Sequence, residues 1–126
     1  MRKINVIKQS RDFTREETYK LTLGHNTKSV KDVQDQQVFQ VVGFIYYTSI
    51  EVDYSVQEEM FEEHTKNLLS IETDVGVYVT ESKTFISSFF EIAEYFKDYV
   101  DGGALKIKKV SGESKSGRKY IDCEIA

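Results

Sequence analysis

Most positions between residues 38 and 52 are β-branched or aromatic, in the run Val38-Phe39-Gln40-Val41-Val42-Gly43-Phe44-Ile45-Tyr46-Tyr47-Thr48-Ser49-Ile50-Glu51-Val52. The pattern predicts one unusually long strand. Gly43 in its middle predicts a bulge or bend that lets the strand serve two sides of a small barrel. Residues 68–73 alternate, Asp74-Val75-Gly76 reads as a turn, and Val77-Tyr78-Val79-Thr80 returns as the second arm of a hairpin. A helix is then predicted from about Phe85 to Val100, with Ser82 or Thr84 as N-cap. Phe85, Phe89, Ile92 and Phe96 form its buried stripe, and Asp101-Gly102-Gly103 stops it. Two alternating runs close the chain around Ser111–Gly117. Leu105 and Ile107 share a face with Ile121, Cys123 and Ile125, while Lys106, Lys108, Arg118 and Tyr120 take the opposite face.

The ends of this pattern are less regular. Residues 53–63 are acidic, contain Met60 and Phe61, and read as a long loop or a one-turn helix. In residues 1–35, Ile4-Asn5-Val6-Ile7 and Thr18-Tyr19-Lys20-Leu21-Thr22-Leu23 each have strand character, with a turn at Gly24-His25-Asn26-Thr27. A coiled arm resting on the rest of the protein accounts for the segment equally well.

The order is long bent strand, strand, strand, helix, strand, strand. That is the order of an OB-fold, a five-stranded, partly open Greek-key barrel with one helix between strands 3 and 4. The expected class is therefore all-β, with an OB-fold domain over residues 36–126 and an N-terminal extension over residues 1–35 that has room for one or two added strands. An SH3-like barrel has no place for a four-turn helix there. A ferredoxin-like fold needs a second helix where residues 53–66 lack an apolar stripe.

Charge changes the picture more than composition does. The 126 residues carry a net charge of −4, yet residues 106–119 hold six Lys or Arg against the single Glu113. Residues 51–63 hold six acids (Glu51, Asp53, Glu58, Glu59, Glu62, Glu63) and no base. A groove responds to local potential, so the total does not exclude a nucleic-acid partner. No apolar run approaches the ~20 residues of a membrane span. The lone Cys123 excludes a disulfide framework and fits a reduced, cytosolic setting.

The stretch from Ile71 to Thr84, the helix after it, and the hairpin from Leu105 to Ile121 resemble the single-stranded DNA-binding proteins of phages of Gram-positive bacteria. The likeness is greatest to the early-gene proteins of protein-primed podophages. In that family an Asp-Gly…Tyr…Ser-Lys-Thr segment precedes the helix and a Lys-Val…Gly…Ser…Gly hairpin follows it. Here Val75 interrupts the Asp-Gly pair, and the N-terminal arm is longer. The resemblance covers residues 37–125. It implies an OB-fold that coats single strands during phage DNA replication in the bacterial cytoplasm, without catalysis and without a cofactor. The implied partner is single-stranded DNA, with phage or host replication proteins beside it, and the implied state is a monomer or small homo-oligomer.

Binding a single strand without sequence preference needs cations along the backbone path and flat side chains for unpaired bases. The expected set is Tyr46, Tyr47, Tyr78 and Tyr120 for stacking, with Lys106, Lys108, Lys115 and Arg118 for phosphates. Of the neighbours Tyr46 and Tyr47, one is expected outward, and Tyr78 is expected to face away from Val77 and Val79. Neither a phosphate-binding glycine loop nor a metal-spaced Cys/His cluster is present, and Cys123 reads as a small buried apolar group. A catalytic role is not expected. The alternative is an interaction protein that modulates a host protein through the acidic residues Glu58, Glu59, Glu62 and Glu63.

Overall fold

The structure is a computed structural model describing residues 2–55 and 60–126; at 53–55 and 60–62 the backbone alone is described. The strands are β1 (Arg2–Gln9), β2 (Thr27–Ser29), β3 (Val38–Ser55), β4 (Met60–Thr73), β5 (Gly76–Thr80), β6 (Leu105–Glu113) and β7 (Lys119–Ile125). The helices are α1 (Arg15–Thr22), α2 (Lys83–Tyr95) and α3 (Lys97–Asp101), with a 3-10 turn at Val30–Asp32. The chain is mostly β, and its sheet curls into half a barrel in the order β2-β5-β4-β3-β6-β7. All neighbours along that path are antiparallel except the short parallel pair β2–β5.

Strand β3 organises the rest, and Gly43 is its turning point. Before it, Val38–Val41 pair with β6. Beyond it, Ile45–Glu51 pair with β1. The opposite edge pairs with β4 from Val41 to Ser55, with a register shift between Val41 and Gly43, so the expected bulge is present. Glycine is required there by close approach. A Cβ would run into the Arg11 guanidinium and stand 3.1 Å from both Phe13 and Ser10 Oγ. Arg11 crosses the strand at this point, donating to the Val42 carbonyl at 3.1 Å and pairing with Glu72 at 2.9 Å.

The main core lies between the curled sheet and α2. Phe39, Val41, Phe44, Leu69, Ile71, Tyr78, Leu105, Ile107 and Cys123 meet Phe85, Ile86, Phe89 and Ala93. Ser82 caps α2 by accepting from the Phe85 N–H. The helix breaks at Phe96 (φ −108°, ψ 40°) and α3 resumes, so the single helix expected to Val100 is two.

A second core covers the other face of the same strands. Leu21 of α1 packs on Ile45 and Tyr47 of β3, with Ile4, Phe13, Leu68 and Val77 around them. The strand expected at residues 18–23 is therefore helical instead. The cause is a capping box in which the Glu17 N–H donates to Thr14 Oγ1 at 3.1 Å and Thr14 N–H donates to the Glu17 carboxylate at 2.9 Å. These hydrogen bonds, the one from the Thr14 backbone above all, hold the Glu17 carboxyl below its ordinary pKa.

Nor do the described parts of residues 53–63 form a loop or helix. β3 runs to Ser55 and β4 begins at Met60, so the two continue as an antiparallel ribbon whose register runs on to Ser55↔Met60. Thr48 and Asn67 bridge it by a side-chain hydrogen bond of 2.9 Å. Residues 56–59, including Glu58 and Glu59, lie outside the described residues. No helix among the described residues is long and apolar enough to cross a membrane.

Candidate nucleic-acid interface

The second core decides which tyrosines are available. Tyr47 is 1% exposed, its hydroxyl accepting from Ser70 Oγ at 3.2 Å, and burial raises its pKa. Its neighbour Tyr46 points to the main core side, half-buried, its ring edge-on to Phe90 with centroids 5.2 Å apart. Neither of the pair is the outward residue expected, because α1 covers one face of β3 and α2 the other. Tyr78 also corrects the expectation. Its register partner Ile71 is a core residue, so Tyr78 goes inward to meet Phe39 at 4.6 Å and is 5% exposed. The half-buried Val77, next to it, belongs to the second core.

Tyr120 alone of the four stays accessible, at 42%. It stands at one side of a cleft of about 1210 Å³ between β2 and the end of β5 on one side and β6 and β7 on the other. Lys28 and Lys31 face it from the N-terminal segment, and Lys119 and Lys109 from the hairpin. Glu81 and Glu113 also line it, and Glu81 is paired with Lys66 at 3.7 Å. Thr27, Ser29, Ser82 and Ser111 supply hydroxyls.

Lys109 has a structural job in this cleft. It is in phase with Leu105 and Ile107, and only 5% exposed. Its ammonium donates to the carbonyls of Lys31 at 3.0 Å and Val33 at 2.5 Å, which compensates the buried charge. Asp35 accepts from the Ser111 N–H at 2.6 Å, and Gln36 N–H donates to the Lys109 carbonyl at 2.8 Å. These bonds fasten residues 31–37 to β6 and so fix Lys28 and Lys31 opposite the hairpin.

The expected cations divide. Lys106 and Lys108 lie on the outer face of β6, where Lys108 is 4.0 Å from Glu124, and neither lines the cleft. Lys115 and Arg118 are exposed on the loop between β6 and β7, also outside the cleft lining. Lys28, Lys31, Lys109 and Lys119 were not in the expected set. For Lys109 the sequence held a signal, a lysine where the alternation demands an apolar residue. For Lys28 and Lys31 it held none, since their place depends on how the N-terminal segment folds back.

The arrangement suits an extended polyanion with unpaired bases: lysines along a trough, one aromatic ring at its side, and hydroxyls between. Cys123 is unsuited to nucleophilic work, because burial, helped by the Asp122 and Glu124 carboxylates, pushes its thiol up to about 12. The chain matches no protein-family model, no curated protein and no solved structure.

Proposed function

We propose that the chain is a non-catalytic protein that binds single-stranded DNA without sequence preference and serves phage DNA replication. The observation that carries this reading is the meeting of exposed Tyr120 with Lys28, Lys31 and Lys119 around one cleft. Lysines neutralise phosphates and release counterions, and the ring offers a surface on which any base can stack. The family resemblance over residues 37–125 supports the same reading.

In this proposal β3, β4, β5, β6 and β7 are the five strands of an OB-type barrel. The order β5-β4-β3-β6-β7, the bulge at Gly43 and the helices between β5 and β6 all agree with that assignment. OB-folds bind oligonucleotides on the face of their second and third strands and the loops beside it. Here the outer face of β4 and β5 carries Leu68 and Val77 against the second core with Leu21 of α1. The strand's path therefore moves to the neighbouring cleft, where β2 takes one side and the β6–β7 hairpin the other.

The test is a charge reversal, Lys28→Glu with Lys119→Glu, read by fluorescence anisotropy of a labelled single strand. Affinity is expected to fall for all sequences alike, and the salt dependence to flatten by about 0.7–1 per phosphate contact removed. Unchanged affinity with the fold intact removes the cleft from consideration.

A further inference from the structure

Away from the cleft the protein exposes an aromatic cluster in surroundings of the opposite charge. Where α2 breaks into α3, Tyr95 is 83% exposed and Tyr99 48%. Phe96 lies between them, its ring 5.0 Å from Tyr95 and 5.3 Å from Tyr99. Exposed Glu91, Glu94, Asp98 and Asp101 surround this cluster in sequence, against one base, Lys97. Among the described residues, Glu94 pairs with Lys8 at 3.8 Å and the other three carboxylates form no ion pair. Carboxylates repel a phosphate backbone, so these rings do not extend the nucleic-acid path. Aromatic faces flanked by carboxylates suit a cationic protein segment, with Lys or Arg over the rings.

The chain carries such a segment. In the loop between β6 and β7, the Gly117 N–H donates to the Ser114 carbonyl at 2.9 Å, and Ser114 N–H donates to the Arg118 carbonyl at 2.9 Å. Arg118 N–H also donates to Ser114 Oγ at 3.1 Å. This tight turn presents Lys115 and Arg118 to solvent, with no carboxylate at ion-pair distance among the described residues. Neither residue lines the cleft, so the proposed DNA site leaves both without a role.

We infer that the loop bearing Lys115 and Arg118 docks on the Tyr95–Phe96–Tyr99 cluster of a second copy of this chain. The two surfaces differ, so the contact is heterologous and propagates head to tail, into rings or open arrays according to the rotation between copies. Such arrays suit a strand-coating protein, but the contact itself does not depend on DNA. Being exposed and ionic, it weakens with salt.

The test is sedimentation velocity of the full chain without DNA, using wild type, the loop variant Lys115→Glu/Arg118→Glu, and the patch variant Tyr95→Ala/Tyr99→Ala. Circular dichroism checks that each variant is folded. Wild type is expected to form species growing with concentration at low salt and dissociating at high salt. Each variant alone is expected to stay monomeric, and their mixture to stop at a one-to-one dimer, because each retains one half of the contact. A wild type monomeric at all concentrations overturns the inference, as does association that survives in either variant alone or a mixture that stays monomeric.

Discussion

Tyr120 stands opposite Gly112 in the β6–β7 register, and its phenol ring occupies the space that a Cβ on Gly112 would need. A Cβ built there falls 2.5 Å from both Cζ and Oη of the ring. The glycine thus lets the ring fold across β6 at the cleft. Gly112→Ala is expected to displace the ring and weaken single-strand binding as Tyr120→Ala does, by about 1–3 kcal/mol for one lost stack. Isothermal calorimetry with a short oligonucleotide checks this. If Gly112→Ala binds like wild type, the ring's position does not matter for binding.

The buried tyrosines belong to stability. Tyr78→Ala and Tyr47→Ala each remove a large ring from a closed core and are expected to cost roughly 3–5 kcal/mol, the range for large aromatics. Chemical denaturation measures it. Tyr120→Ala is expected to shift the midpoint far less, so the two groups separate in one assay.

The N-terminal segment is built into the protein rather than laid upon it. Leu21 is 2% exposed and closes the second core over Ile45 and Tyr47. Leu21→Ala is expected to destabilise the whole chain by about 2–5 kcal/mol in a single transition with the barrel. Loss of α1 alone, with the main transition unmoved, would show that the segment folds independently.

Cys123 gives a pH signature. Its folded pKa of about 12 lies above the ordinary 9.0, so the neutral thiol favours the native state. That contribution is complete below pH 9.0 and is lost as pH rises from there toward 12. Cys123→Val is expected to flatten the alkaline fall in stability over that window, leaving the part due to Tyr47. Thiol labelling at neutral pH is expected to be slow in the native protein and fast in denaturant.

The elements from β3 onward were legible in the sequence because burial imposes a pattern. Gly43 interrupting a β-branched run, the Phe85–Phe89–Ile92 stripe and the alternation around Leu105 and Ile107 each report one buried face. The tyrosines were misplaced where that logic lapses. At Tyr46-Tyr47 and Val77-Tyr78-Val79 both faces of the sheet are covered, one by α2 and the other by α1, so apolar residues occur at consecutive positions and phase carries no information. The ribbon of β3 and β4 was missed for the converse reason. Residues 63–67 are exposed on both faces, and a strand that buries nothing leaves no alternation. For α1 a local signal existed, Thr14 three residues before Glu17, but the β-forming Thr18, Tyr19 and Thr22 masked it.

The central claim is tested most directly by following tyrosine fluorescence while the wild-type protein is titrated with oligo-dT and, in parallel, with a matched duplex. The chain has no Trp, and Tyr120 is the tyrosine lining the cleft among the described residues, so stacking is expected to quench a fraction of the emission saturably. The single strand is expected to bind more tightly than the duplex, with affinity falling steeply as salt rises. No quenching at low salt, or equal affinity for duplex, contradicts the account.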